Sequence, residues 1–429
     1  MKLIRGGKVV NAKHTAHYEV LIVGETIEAL IDPKSDTLNS VESWDCEIID
    51  ASGKYVIPGG VDSHVHLQLP MSDQAISSDT FETGTQAAAW GGTTTVIDFA
   101  GQIKGTAVPD AIESRLDEAV GQCAIDYSFH LSVGDVNKQS LVDIRNTVEA
   151  GITSYKLFMA YPGAWYSDDG QILQVMQLAS ETGSMIMMHA ENGIAIDVLR
   201  EQAISQGKMG SVWHGRTRPP DLEGEATHRA IQLAVVAGAP LYIVHLSSLN
   251  ALKEVSRARD EGRNVFAETC PQYLYLTLEE HLDQPGVDGL RHICSPPLRP
   301  SRDKHQDNLW MGLRTDDLSV VATDHCPFCD AEKLLGAEDF RETPNGLGAI
   351  EHRMDLLFQG VLTGEITLQR WVELCSTTPA RLFGLQGRKG IIAPGADADI
   401  VIFNPETEHI LGASSHHMAI DHSIWEGIK

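Results

Sequence analysis

At 429 residues, with 42% hydrophobic and 21% charged side chains, the chain is long enough for one large domain plus a smaller one, or for a single barrel with insertions. Its 33 basic and 59 acidic residues give a net charge of −26, a surface that repels phosphate backbones and argues against nucleic acid or anionic membrane as a partner. The N-terminus lacks the apolar stretch of a signal peptide, no uncharged apolar run reaches the roughly 18 residues of a membrane span, and the seven cysteines (Cys326 and Cys329 included) read as unlinked thiols of a reducing cytoplasm.

The first 55 residues read as short strands: Leu3–Ile4, Lys8–Asn11, Tyr18–Val23, Thr26–Ile31 and Glu47–Asp50, with turn signals at Gly6-Gly7 and Gly24-Glu25. From 56 to 387, β-branched runs alternate with helical stretches. The expected strands are Val56–His66, Thr94–Phe99, Ile125–Val133, Thr153–Met159, Met185–His189, Leu241–His245, Val265–Thr269 and Ser319–Asp324. The helices between them include Asp110–Val120, Gln171–Thr182, Ile194–Gln206, Glu225–Ala237 and Leu249–Glu261. This alternation predicts an α/β fold with parallel strands joined by crossovers, and eight strands are the number that closes a (β/α)8 barrel of the TIM type. An open doubly wound sheet is the alternative, but it favours a glycine-rich phosphate turn after the first strand, where this chain has Ser63-His-Val-His-Leu67. Residues 388–429 return to strand character, with Gly390-Ile-Ile392, a Pro394-Gly395 turn and Asp399–Asn404. The two ends, 1–55 and 388–429, are expected to pair into one small β-sandwich around the 56–387 barrel.

Polar residues able to hold a metal recur at the C-terminal ends of these strands. His64 and His66, one residue apart, share a face of an extended segment. Lys156 lies in the fourth strand, His189 ends the fifth, His245 the sixth and Asp324 the eighth. Taken singly, each has an ordinary explanation: a hydrogen-bonded core histidine, a helix N-cap, a snorkelling lysine. Together they aim at one rim of a barrel, the face on which such folds carry their active sites. Neutral imidazoles with a carboxylate suit a divalent transition metal. Desolvation and nearby cations lower the pKa of Lys156, and the neutral amine can add carbon dioxide to become a carbamate with two metal-bridging oxygens.

On these residues the chain resembles a cyclic amidohydrolase of the amidohydrolase superfamily, within the dihydropyrimidinase and hydantoinase group. The matching segments are Gly59-Gly-Val-Asp-Ser-His-Val-His-Leu-Gln-Leu-Pro70, Tyr155-Lys-Leu-Phe-Met-Ala-Tyr161, His189-Ala-Glu-Asn-Gly193, Ile243-Val-His245, Cys294-Ser-Pro-Pro-Leu-Arg299, Thr323-Asp-His-Cys-Pro-Phe328, Pro344-Asn-Gly346 and Gly395-Ala-Asp-Ala-Asp-Ile-Val-Ile402. The resemblance implies a barrel with a β-sandwich, two zinc ions, and attack on a small cyclic amide by a hydroxide that the ions share. It implies that His64, His66 and Asp324 hold one ion, that His189 and His245 hold the other, and that carboxylated Lys156 bridges them. By the same resemblance Tyr161 polarises the carbonyl, Asp324 shuttles the proton, and backbone groups at Ser295 and Asn345 grip the ring amide. Phe158 and Trp165 are candidates for the pocket around the exocyclic substituent, or for plain packing. A homo-oligomer, tetramer or dimer, is implied too, although the chain stops at Lys429 where such relatives continue.

Three alternatives are weighed. Dihydroorotases usually carry an arginine two residues after the second histidine, where this chain has Gln68, and Tyr161 also fits the dihydropyrimidinase group better than an allantoinase. Non-catalytic scaffold relatives have lost metal ligands, and this chain keeps all six.

Overall fold

The computed structural model describes residues 1–42 and 44–429. Its centre is an eight-stranded, all-parallel sheet. We number these strands in chain order: β1 (Gly60–Asp62), β2 (Thr93–Gln102), β3 (Asp126–Val133), β4 (Ser154–Phe158), β5 (Met185–His189), β6 (Leu241–Ile243), β7 (Val265–Thr269) and β8 (Val320–Val321). Each pairs with its sequence neighbour, and helices such as Phe81–Trp90, Val108–Ala119, Asp169–Thr182, Pro220–Ala237 and Leu249–Asp260 cross back outside.

The period of two in each strand separates two cores. Outward residues Leu131, Tyr155, Leu157, Ile186, Met188, Leu241 and Ile243 pack against the helices. Inward residues Phe99, Met185, Met187, Tyr242, Val244, Val320 and Ala322 form a separate cluster that fills the barrel. Continuing the inward rows by two residues reaches His189 after Met187 and Asp324 after Ala322.

The barrel closes without a ladder between β1 and β8. Past the ends of both strands, Val65 and His325 form an isolated parallel bridge. There the Asp324 amide donates to the His64 carbonyl (2.9 Å) and the His66 amide to the His325 carbonyl (2.8 Å). Lower down, the fully buried Arg353 guanidinium donates 3.0 Å bonds to the carbonyls of Val61 in β1 and Val321 in β8. The Asp62 carboxylate accepts from the amide and hydroxyl of Thr323 at 3.1 and 2.7 Å. Side chains thus supply the hydrogen bonds that two very short strands cannot.

Two four-stranded sheets form the sandwich. One has the order Thr26–Ile31, Glu19–Val23, Lys2–Arg5, Glu47–Asp50; the other has Ile400–Phe403, Tyr55–Pro58, Lys8–Val10, Thr15–His17. Ile4, Val9, Val20, Ile27, Val56, Ile392 and Ala396 fill the space between them.

Several boundaries differ from those expected. The single strand read over Val56–His66 is two: Tyr55–Pro58 pairs with Ile400–Phe403 in the sandwich, and Gly60–Asp62 opens the barrel. The sixth and eighth strands stop short of His245 and Asp324, because both residues take positive φ (40° and 53°), which a strand cannot accommodate. Beyond Phe403 no further strand forms. The irregular tail instead lays Leu411, Met418, Ile420, Ile424 and Trp425 into the barrel's outer core, so sandwich character ends well before residue 429. Among the described residues, no helix is long and apolar enough to cross a membrane.

Candidate metal centre

The C-terminal rim gathers all six expected ligands. His64 Nε2 lies 3.2 Å from His66 Nε2 and 3.1 Å from Asp324 Oδ1, and His66 Nε2 lies 3.3 Å from the same oxygen. Lys156 Nζ approaches His64 Nε2 at 2.7 Å. The His245 ring is centred 5.4 Å from that of His64 and 4.5 Å from that of His189. All six side chains are buried or nearly so.

The donor set suits divalent cations. Burial holds all four imidazoles below their ordinary pKa, with Lys156 adding to the effect at His64, so their nitrogens offer lone pairs. Burial favours the neutral acid of Asp324, but a hydrogen bond with His66 and the neighbouring rings outweigh it and hold the carboxylate ionised. His245 Nδ1 is buried with no hydrogen-bond partner. Burial pushes Lys156 down to about 8, against the pull of Asp324 and Glu268, and its stem is flanked by Phe99 and Phe158, with Nζ 4.3 and 5.2 Å from the ring centroids. An amine so placed is within reach of its neutral, nucleophilic form near neutral pH.

Residues outside the expected set orient the ligands. Glu268, inward-facing on β7, accepts from His64 Nδ1, from the His245 amide (3.1 Å) and from the Tyr242 hydroxyl (2.7 Å). His64 is thereby fixed with Nε2 free toward the cluster. Glu191 accepts from His189 Nε2 at 2.9 Å and from Arg218 at 2.9 Å, which leaves His189 Nδ1 as the free nitrogen. Burial alone would raise the Glu191 pKa, but Arg218 overrides it and keeps the group anionic. Neither glutamate nor Arg218 was expected from the sequence. The available signal was Glu268 as the sole charged residue in the apolar run Val265–Thr269.

Tyr161 sits at φ 61° in the loop after β4, its carbonyl accepting from the amides of Ala164, Trp165 and Tyr166. This conformation is costly for an aromatic residue and recurs where function fixes the backbone. Burial raises its pKa and keeps the phenol neutral, able to donate. Its ring lies 5.1 Å from that of His189, and Phe158 and Trp165, 5.5 Å apart, form an aromatic wall beside it. Ser295 Oγ and Asn345 Oδ1 are both buried without partners. Their two segments are joined where the Gly346 amide donates to the Ile293 carbonyl at 3.0 Å.

A family profile described as "Amidohydrolase family" matches residues 55–427. A D-hydantoinase of Streptomyces coelicolor is 54% identical over 99% of this chain and 90% of its own length. A D-hydantoinase of Geobacillus stearothermophilus is 43% identical over 100% of this chain and 89% of its own. Among solved structures, a dihydropyrimidinase from Brevibacillus agri superposes with TM-score 0.95 at 43% identity, covering 100% of this chain and 91% of that one. An L-hydantoinase (dihydropyrimidinase) from Arthrobacter aurescens gives 0.89 at 27%, covering 100% and 92%.

Proposed function

The chain belongs to the amidohydrolase family, and from that premise we propose that it opens the ring amide of 5-substituted hydantoins or 5,6-dihydropyrimidines to give N-carbamoyl amino acids. It is a metal-dependent hydrolase of cyclic amides. The observation that carries the reading is a buried lysine amine 2.7 Å from an imidazole nitrogen whose ring is pinned from behind by a glutamate. Burial disfavours the ammonium there and brings within reach the neutral amine, the form that can take up carbon dioxide and face cations as a carbamate. The D-enantiomer is the favoured substrate, since the relatives named D-hydantoinase are 35–54% identical and the one named L-hydantoinase 27%.

We assign His64, His66 and Asp324 to one cation, His189 and His245 to a second, and Lys156, as its carbamate, to both. Two bound zinc ions would supply Lewis acidity at the ring carbonyl and lower the pKa of the attacking water toward about 7. Asp324 takes the proton that this water releases and returns it to the ring nitrogen as the carbon–nitrogen bond breaks. The Tyr161 phenol donates to the oxygen on which negative charge develops. Backbone groups at Ser295 and Asn345 hold the ring amide in register with these side chains. Phe158 and Trp165 face the exocyclic substituent. We further read the protein as a cytoplasmic homo-oligomer; its seven free thiols fit a reducing compartment.

A panel of dihydrouracil, hydantoin, both enantiomers of a 5-aryl hydantoin, allantoin and dihydroorotate tests the function, with zinc measured in the same preparation. Turnover of the first three classes with about two metal ions per chain is expected. Hydrolysis confined to allantoin or dihydroorotate, or a metal-free chain active on the panel, would refute it.

A further inference from the structure

Among the described residues, Lys333 is a buried cation with no carboxylate partner. It ends the short helix Asp330–Lys333 and is 1% exposed. Its ammonium donates to three backbone carbonyls: Gly346 at 2.7 Å, Pro344 at 2.9 Å and Ile293 at 3.2 Å. The Phe328 ring lies to one side, its centroid 5.6 Å from Nζ. Burying an ammonium without a counter-ion costs several kcal/mol, and an apolar side chain of similar length would avoid that cost. The three acceptors point to what the charge does.

Pro344 and Gly346 flank Asn345, and Ile293 stands two residues before Ser295. The ammonium therefore clasps both segments assigned above to the substrate's ring amide. The Pro344 carbonyl belongs to the peptide group whose N–H is that of Asn345. A cation on that oxygen polarises the peptide and strengthens the N–H as a donor. Gly346 completes the clasp at φ 151°; a Cβ there would fall 2.1 Å from the Cys326 carbonyl oxygen, two residues beyond Asp324.

We propose that Lys333 is a positioning residue for substrate, setting the separation of the Ser295 and Asn345 segments and the donor strength of the Asn345 amide, without contact with the metal ligands. The inference rests on the proposed cyclic-amide function. Lys333→Met retains the stem and removes the charge; Lys333→Gln retains two N–H donors and removes the charge. For the metal-loaded enzyme, we expect Lys333→Met to raise KM about ten-fold, the worth of one charge-assisted hydrogen bond, with kcat within about two-fold and metal content unchanged. Lys333→Gln is expected to fall between it and wild type. Calorimetric affinity for the N-carbamoyl amino acid product should drop in parallel. An unchanged KM and product affinity in a folded variant would overturn the proposal. So would a loss of kcat and metal at constant KM, or the failure of both variants to fold, which would make Lys333 a structural cation. If the wild-type protein hydrolyses no cyclic amide, the function fails instead, and that result is read before any variant is made.

Discussion

His64 has one nitrogen turned to Glu268 and the other to a 3.1 Å contact with Asp324 and a 2.7 Å contact with Lys156. A neutral ring with a fixed tautomer is what a cation requires, and the glutamate behind it fixes that tautomer. The bridging role proposed for Lys156 would make it the most demanding position. Lys156→Ala is expected to abolish turnover and leave at most one metal ion per chain by elemental analysis; two ions retained would remove the lysine from the site. Tyr161→Phe keeps the ring and deletes the donor, so kcat is expected to fall about 10²–10³-fold in steady-state assays at unchanged metal content. A rate equal to wild type would take the hydroxyl out of the reaction. His64, His66, His189, His245 and Asp324 stand out in the sequence as polar residues at the ends of apolar runs and Lys156 as one inside a run, whereas Tyr161 is singled out by the family resemblance alone. Arg218 gave no such sign, since the stretch before it, Val212–Arg216, has no strand pattern to interrupt.

For the strands, sequence periodicity named all eight and their order, because the inward and outward rows are apolar in both directions and bounded by turns. It matched Met185–His189 and Val265–Thr269 residue for residue and failed at the ends of the first, sixth and eighth strands. The Pro58-Gly59-Gly60 triplet is the available mark of the break between sandwich and barrel, whereas nothing in the residue pattern shows that β8 pairs over only Val320 and Val321. The seam between β1 and β8 relies on Arg353, which also donates to Cys375 and Thr93 while its Nε stays 3.8 Å from Asp62. Arg353→Met is expected to leave Asp62 buried beside lost bonds and to cost about 3–5 kcal/mol in denaturant unfolding. A cost below 1 kcal/mol would mean that the rim bridge alone closes the barrel.

Across the whole molecule, buried histidines outside the proposed ligand set add to the loss of stability in acid. Burial, with Arg218 adding to it, pushes His214 down to about 3 while its Nε2 donates to the Cys294 carbonyl at 2.8 Å; burial likewise lowers His292 and His352 to about 4. Each binds its proton more weakly folded than unfolded. Their contribution to stability is therefore complete above the unfolded value near 6.5 and is lost as pH falls toward the folded values, by about 1.4 kcal/mol per pH unit per residue. His214→Gln retains a donor and cannot titrate, so its stability should fall less steeply than wild type between pH 6 and 4 in urea titrations. Parallel curves would show that His214 is protonated in the folded state. The tail's docking on the barrel was hidden for a related reason: Trp425, whose indole donates to the Gly348 carbonyl at 3.0 Å, sits in a stretch with no period to read.

The rim bridge joins the segments that follow the first and the last barrel strands to leave the ribosome. His64 and His66 emerge first and must wait for Asp324, more than half the chain later, before three donors meet. Early capture of an ion by the nascent histidine pair would lack its carboxylate, so filling of that three-donor site would wait for completion of the ring. An ion held by these three residues would fasten the two ends of the cylinder together, and the event that arms the proposed chemistry would also lock the fold.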